Sequence, residues 1–291
     1  MNKEKILLAG KISKEIKDWI RPQIKKGVSL LEISEKIENK MIELGGKPAF
    51  PTNLSINEVA AHYTPSYNDE TKAEGLIKID LGVHVDGWIA DTAFSMDLEE
   101  NSENKKLIEA SKTALKNAIE KAKEKKSLGE IGETVQETIE SFGFSPIINL
   151  TGHEMNEYEL HSGLTIWNIK NSRKEILENG LFAIEPFATT GSGKIHEGNP
   201  SGIYMLTNEK NIRNPEARKI LSFIIEKYKT LPFCSRWIIK KFGTKALFAL
   251  RQLEANGNLY HYPQLIESSG SKVSQTENTI LVEDKVTVTT E

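Results

Sequence analysis

Apolar side chains recur at helical spacing in some stretches of this chain and crowd into strand-like runs in others. In SLLEISEKIENKMIELGG, Leu30, Ile33, Ile37, Met41 and Leu44 share one helical face, Ser29 and Glu32 have capping-box spacing, and Gly45 supplies the stop. The first 45 residues are therefore expected to be mainly helical, and residues 104–126 form a second long amphipathic helix. SLGEIGETVQETIESFG then nearly repeats the earlier segment at an offset of 98. Ser29, Leu30, Glu32, Ile33, Glu35 and Gly45 recur as Ser127, Leu128, Glu130, Ile131, Glu133 and Gly143, while Ile37, Met41 and Leu44 become Val135, Ile139 and Phe142. An ungapped register with a shared end favours a duplicated helix-then-strand unit, which places a pseudo-twofold site between its copies. Strand patterns follow each copy, at 76–95 in the first half and at 180–189 and 276–290 in the second.

Between the last two strand patterns the pattern changes. NPEARKILSFIIEKYKTL opens with Asn214 as N-cap and Pro215 at the first helical position, and SRWIIKKFG and TKALFALRQLEANG add two short helices. Residues 206–270 hold 11 Lys/Arg and 5 Asp/Glu, a net of +6 in a chain whose total is −3. That contrast marks an inserted helical subdomain, with 1–205 and 271–291 as the main domain. Solvated helix faces are the plain reading of its basic surface, and RNA contact the sharper one. Apolar and charged contents of 38% and 27% are those of a globular protein. The chain has no apolar run long enough for a membrane span, a charged opening unlike a signal peptide, and one cysteine, so the cytoplasm is expected.

The stretch LIKIDLGVHVDGWIADTAFS carries aspartates where apolar residues belong. Asp86-Gly87 is a favoured two-residue hairpin loop, because a type I′ turn needs positive φ at both positions. With that turn Val85 faces Trp88, Asp80 faces Ala93 and Asp91 faces Gly82. Asp80 and Asp91 then become diagonal neighbours on one face, about 7–8 Å apart at Cα, close enough to converge on shared cations. Carboxylates among apolar neighbours need such a partner. Further donors stand in NLTGHEMNEYELHSG (His153, His161), FAIEPF (Glu185) and SQTENTILV (Glu277). The two histidines do not make a zincin signature, since Glu157 stands where its second His belongs, and TTGSGKIHEG lacks both the first Gly and the final Ser/Thr of a phosphate loop. His84, His196 and His261 are expected at the surface or packed beside the site, and Cys234 in the core.

These residues, with AFPTNLSINEVAAHYTP, TLPFCSRW and the order of the motifs over nearly the whole length, resemble the type 2 methionine aminopeptidases of the pita-bread metallopeptidase superfamily. The resemblance implies an α+β pita-bread fold: pseudo-twofold halves around an antiparallel sheet, with a winged-helix-like insert. It implies Asp80, Asp91, His153, Glu185 and Glu277 as ligands of two divalent ions (Co, Mn, Fe(II) or Zn), with Asp91 and Glu277 bridging and a hydroxide between the ions as nucleophile. Four carboxylates and one imidazole form a hard, oxygen-rich donor set.

The same resemblance makes His62 and His161 substrate contacts, Glu185 a proton carrier as well as a ligand, and Phe50, Ile203 and Tyr262 the lining of a methionine pocket. Ile203 stands where some members carry a histidine. The substrate is expected to be the initiator methionine of nascent chains with a small second residue, the protein a monomer, and the basic insert a candidate ribosome contact. The short N-terminal region resembles archaeal members. A Xaa-Pro peptidase of the same fold, or a non-catalytic RNA- or ribosome-binding relative, are the competing readings; retention of all five candidate ligands argues against the last.

Overall fold

The computed structural model describes residues 1–291. Helices α1 (Lys3–Ile20) and α2 (Leu30–Glu43) cover one side of the hairpin formed by strands Leu76–Val85 and Trp88–Asp97. Strand alternation decides what each side holds. Ile77, Ile79, Leu81 and Val83 pack with Ile12, Ile16, Ile37 and Met41 into one core, leaving Lys78, Asp80, Gly82 and His84 on the opposite face. The second half repeats the plan. Helices α3 (Ser102–Lys123) and α4 (Leu128–Ser141) supply Leu107, Leu115, Ile131, Val135 and Ile139 to a core with Phe182, Ile184, Ile280 and Val282. The underlying five-stranded antiparallel sheet runs, edge to edge, Val286–Val288, Asn278–Val282, Gly180–Ile184, Thr151–Asn156, Glu159–Trp167. A further core joins the halves, with Phe50, Trp88 and Ile89 packed against Met155, Leu181, Ala183 and Leu281.

The duplication extends to backbone detail. Gly45 and Gly143 end their helices at φ +87° and +82°, a left-handed conformation that glycine adopts without strain. The short strands Lys47–Pro48 and Ser145–Pro146 follow at the same offset, and Ser29 and Ser127 each form an isolated bridge. The caps differ. Ser127 and Glu130 form the full capping box, whereas the Ser29 side chain caps nothing and Glu32 pairs with Lys36 one turn along. The capping box expected at Ser29 is absent, and its acid is turned to the lysine.

The expected strand at 180–189 is two strands, Gly180–Ile184 and Phe187–Thr189. Pro186 has no N–H to continue the ladder, and Glu185 sits at the break. Strands Ile195–Leu206 and Leu259–Glu267 pair antiparallel and enclose α5 (Pro215–Tyr228), α6 (Ser235–Phe242) and α7 (Ala246–Ala255), which share their own core. Asn214 caps α5 by accepting from the Glu216 and Ala217 amides at 2.9 and 3.2 Å. The returning strand also pairs with Val59–Ala61 of the first half. A buried ion pair pins α6 to α2: Arg236 donates to both Glu38 carboxylate oxygens at 2.8 Å and to Ser34 at 2.8 Å. Cys234 is buried in the short strand Phe233–Cys234 that leads into α6. No helix is long and apolar enough to cross a membrane.

Candidate metal centre

The Asp86-Gly87 turn sets the hairpin register: Asp80 pairs with Ala93 and Gly82 with Asp91. Both aspartates therefore face away from α1 and α2, into a cavity of about 230 Å³. Glu277 reaches the same cavity because its residue bridges Ala93 across the junction of the halves, and Glu185 because the sheet breaks there. His153 enters from strand Thr151–Asn156. One donor atom each from Asp91, His153 and Glu277 lie within 4.8 Å of one another. His153 Nε2 is 3.6 Å from Asp91 Oδ2 and also 3.6 Å from Glu185 Oε1. That is too long for a hydrogen bond, yet near the separation of donors that each lie about 2 Å from one shared cation.

The electrostatics ask for such a cation. Asp91, His153 and Glu277 are buried, and Asp80 Oδ1, Asp91 Oδ1 and His153 Nδ1 have no hydrogen-bond partner. Burial, then repulsion from neighbouring carboxylates, holds Asp91, Glu185 and Glu277 well above the usual carboxylate range. Burial pushes Asp80 up to about 7 against a hydrogen bond from Gln275. His153 is pulled down to about 3, mainly by burial, and so stays neutral with a lone pair to offer. Orphaned buried oxygens beside a neutral imidazole fit a hard divalent cation.

His161 lies beside this cluster, its ring centroid 4.3 Å from that of His153. His62 Nδ1 lies 3.2 Å from the Pro263 carbonyl, which can only accept, so Nδ1 carries the proton and Nε2 remains the acceptor. Burial holds His62 down at about 4. Phe50, Ile203 and Tyr262 line the same cavity. The Phe50 ring rests so closely on Gly82 that a Cβ there would meet its Cε1 at 2.2 Å. Sequence reasoning missed Gln275, whose Nε2 donates to Glu185 Oε2 at 3.4 Å; its place two residues before Glu277, at the end of strand Val273–Gln275, was the available signal. His84 is not at the surface: it is buried at the hairpin end, accepting from the Gly87 amide at 3.0 Å. His196 is exposed, and His261 stacks on Tyr204 at 4.0 Å.

Duplicated halves that meet over inward-facing carboxylates and an imidazole define the pita-bread class of metal-dependent hydrolases. The chain belongs to metallopeptidase family M24, whose sequence profile matches residues 4–284. It is 48% identical over 301 aligned positions to a methionine aminopeptidase of Pyrococcus horikoshii, covering 100% of both chains. Among solved structures it resembles a thermophilic Arx1 (TM-score 0.86, 17% identity, 98% of this chain and 89% of that one). It also resembles a methionine aminopeptidase of Rickettsia prowazekii (TM-score 0.71, 21% identity, 99% and 96%).

Proposed function

We propose that this chain is a methionine aminopeptidase of the type 2 class. It removes the initiator methionine from peptides and nascent chains, with Asp80, Asp91, His153, Glu185 and Glu277 as ligands of two divalent cations. The observation that carries this reading is the one cavity in which all five donors meet both an apolar pocket and two further imidazoles. The name and full-length identity of the Pyrococcus horikoshii relative support the activity, and the helical insert supports the type 2 assignment.

Divalent cations at this site supply Lewis-acid polarisation of the scissile carbonyl and lower the pKa of a water towards neutrality. The chain's own groups do the rest. Phe50, Ile203 and Tyr262 take the methionine side chain, whose polarisable sulfur gains about 0.3–1.5 kcal/mol against an aromatic wall. His62, its Nδ1 proton held by Pro263, accepts the scissile N–H at Nε2 and so orients the peptide. His161 donates to the carbonyl oxygen as negative charge develops. Glu185 takes the proton of the attacking water and returns it to the leaving amine. The cytoplasm, a monomeric state and ribosome contact through the basic insert complete the proposal.

Chelation followed by re-addition of single metals, with release of methionine from Met-Ala-Ser as the readout, tests the assignment. Restored cleavage of Met-Ala-Ser supports it; restored cleavage of Xaa-Pro peptides alone overturns it in favour of a prolidase-like activity.

A further inference from the structure

Lys17 is a lysine of α1 whose ammonium turns inward, behind the acidic cluster rather than into its cavity. Its Nζ donates to Thr92 Oγ1 at 2.9 Å and to Asn278 Oδ1 at 3.3 Å. Thr92 follows Asp91 in the first half, and Asn278 follows Glu277 in the second. Thr92 Oγ1 donates onward to the Glu277 carbonyl at 2.8 Å. Asn278 is held further, its Oδ1 also accepting from Thr290 Oγ1 at 2.9 Å and its Nδ2 donating to Glu291 Oε1 at 2.8 Å. One ammonium thus clips together the residues next to a carboxylate from each half.

Other links cross the same seam. Strand Trp88–Asp97 meets the Glu277 segment through the Ala93–Glu277 bridge, through Thr279 Oγ1, which accepts from the Asp91 amide and donates to the Asp91 carbonyl, both at 2.8 Å, and through Ser95 Oγ, which donates to the Gln275 carbonyl at 2.8 Å and accepts from the Gln275 amide at 2.9 Å. The distance between the Asp91 and Glu277 carboxylates is set across this seam. Burying an ammonium is costly unless its acceptors repay it. Burial draws Lys17 down to about 8, which still leaves it charged at neutral pH.

We propose that Lys17 is a positioning residue for the metal centre, holding the Asp91 and Glu277 segments in register through Thr92 and Asn278. The inference rests on the reading of Asp91 and Glu277 as metal ligands. Partners that orient ligands from behind are commonly worth about 10–100-fold in metal affinity.

The test uses the full chain as Lys17→Met, which keeps the apolar stem, and as Thr92→Val, which keeps the shape and removes the hydroxyl. Manganese is titrated by calorimetry into chelated protein, and kcat and KM are measured on Met-Ala-Ser. Both variants are expected to weaken manganese binding about 10-fold or more and to lower kcat more than they raise KM, with Lys17→Arg recovering part of the loss. A lower melting temperature with manganese affinity within about twofold of the wild type marks a purely structural lysine and overturns the proposal. If Lys17→Met does not fold, Thr92→Val decides by the same criterion. Failure of the wild type itself to bind manganese overturns the metal assignment and this inference together, whereas wild-type binding that is lost in Glu277→Gln and kept in both clip variants overturns this inference alone.

Discussion

Ala93 and Glu277 exchange main-chain hydrogen bonds of 3.3 and 3.0 Å across the line where the two halves meet. The bridge lies next to Thr92, whose hydroxyl also reaches the Glu277 carbonyl, so a glutamate from the end of the second half lands beside an aspartate from the hairpin of the first. Neither half holds the centre by itself.

Glu277→Gln is accordingly expected to lose peptidase activity while keeping its fold. The amide matches the carboxylate in shape but cannot hold a cation with the same strength. The metal-free variant should melt at or above the wild-type temperature near pH 8, since one of four mutually repelling acids has gone. Steady-state kinetics on Met-Ala-Ser and differential scanning fluorimetry check both points, and full activity of the metal-loaded variant would refute the ligand role.

The buried acids also fix how the metal-free protein responds to pH. Asp80 is raised to about 7, and Asp91, Glu185 and Glu277 are raised as well, so at these four groups the folded chain binds more protons than the unfolded one above about pH 4, where ordinary carboxylates ionise. Their stabilising contribution is complete below that pH and is lost as pH rises through 7. His62 and His153, held down at about 4 and about 3, act the other way below about pH 6.5, where unfolded imidazoles take up protons, so the acids are isolated between pH 6.5 and pH 8. Chelated protein should melt higher at pH 6.5 than at pH 8, and added manganese, which replaces the carboxyl protons, should raise the melting temperature more at pH 8 than at pH 6.5. Melting curves at the two pH values, with and without metal, are sufficient.

Arg236 and Glu38 form the buried joint between the insert and the first half, and Trp237 Nε1 adds a further donor to Glu38 at 2.8 Å. Arg236→Met leaves that carboxylate buried without its cation and is expected to cost about 3–5 kcal/mol in denaturant unfolding. The double variant Arg236→Met/Glu38→Met should recover much of the loss, because neither charge then remains stranded. A double-mutant cycle with no coupling would show that the pair does not hold the insert in place.

Gly82 lies beneath the Phe50 ring, in register with Asp91. Gly82→Ala must displace Phe50, so the variant should raise KM for methionyl peptides and cost about 1–3 kcal/mol through overpacking. Kinetics and melting curves that match the wild type would remove Phe50 from the methionine pocket.

What the sequence disclosed follows from how local each feature is. The Asp-Gly turn dictates the hairpin register within a few residues, so the facing of Asp80 and Asp91 could be read directly. The duplication was legible because helix caps and stops are local, and it recurs in the structure down to the paired glycines and short strands. The convergence of His153, Glu185 and Glu277 on the hairpin depends on pairing across the whole chain, which periodicity does not encode; the residues alone offered these donors, and the resemblance to a known family assigned them as one ligand set. Lys17 escaped notice because a lysine on an amphipathic helix reads as solvated. Its position four residues after the buried Ser13 was the faint cue. The capping box expected at Ser29 does not form, and Glu32 pairs with Lys36 instead.

The junction behind the cavity has a bearing on how the molecule comes into being. A ribosome finishes the segment bearing Asp80 and Asp91 long before it adds Glu277, so the early portion must wait with unmatched acids until the late one arrives. With Glu277 as a proposed ligand, catalytic competence is expected to be the last property the growing polypeptide acquires, and a product halted upstream of that glutamate is expected to be inert.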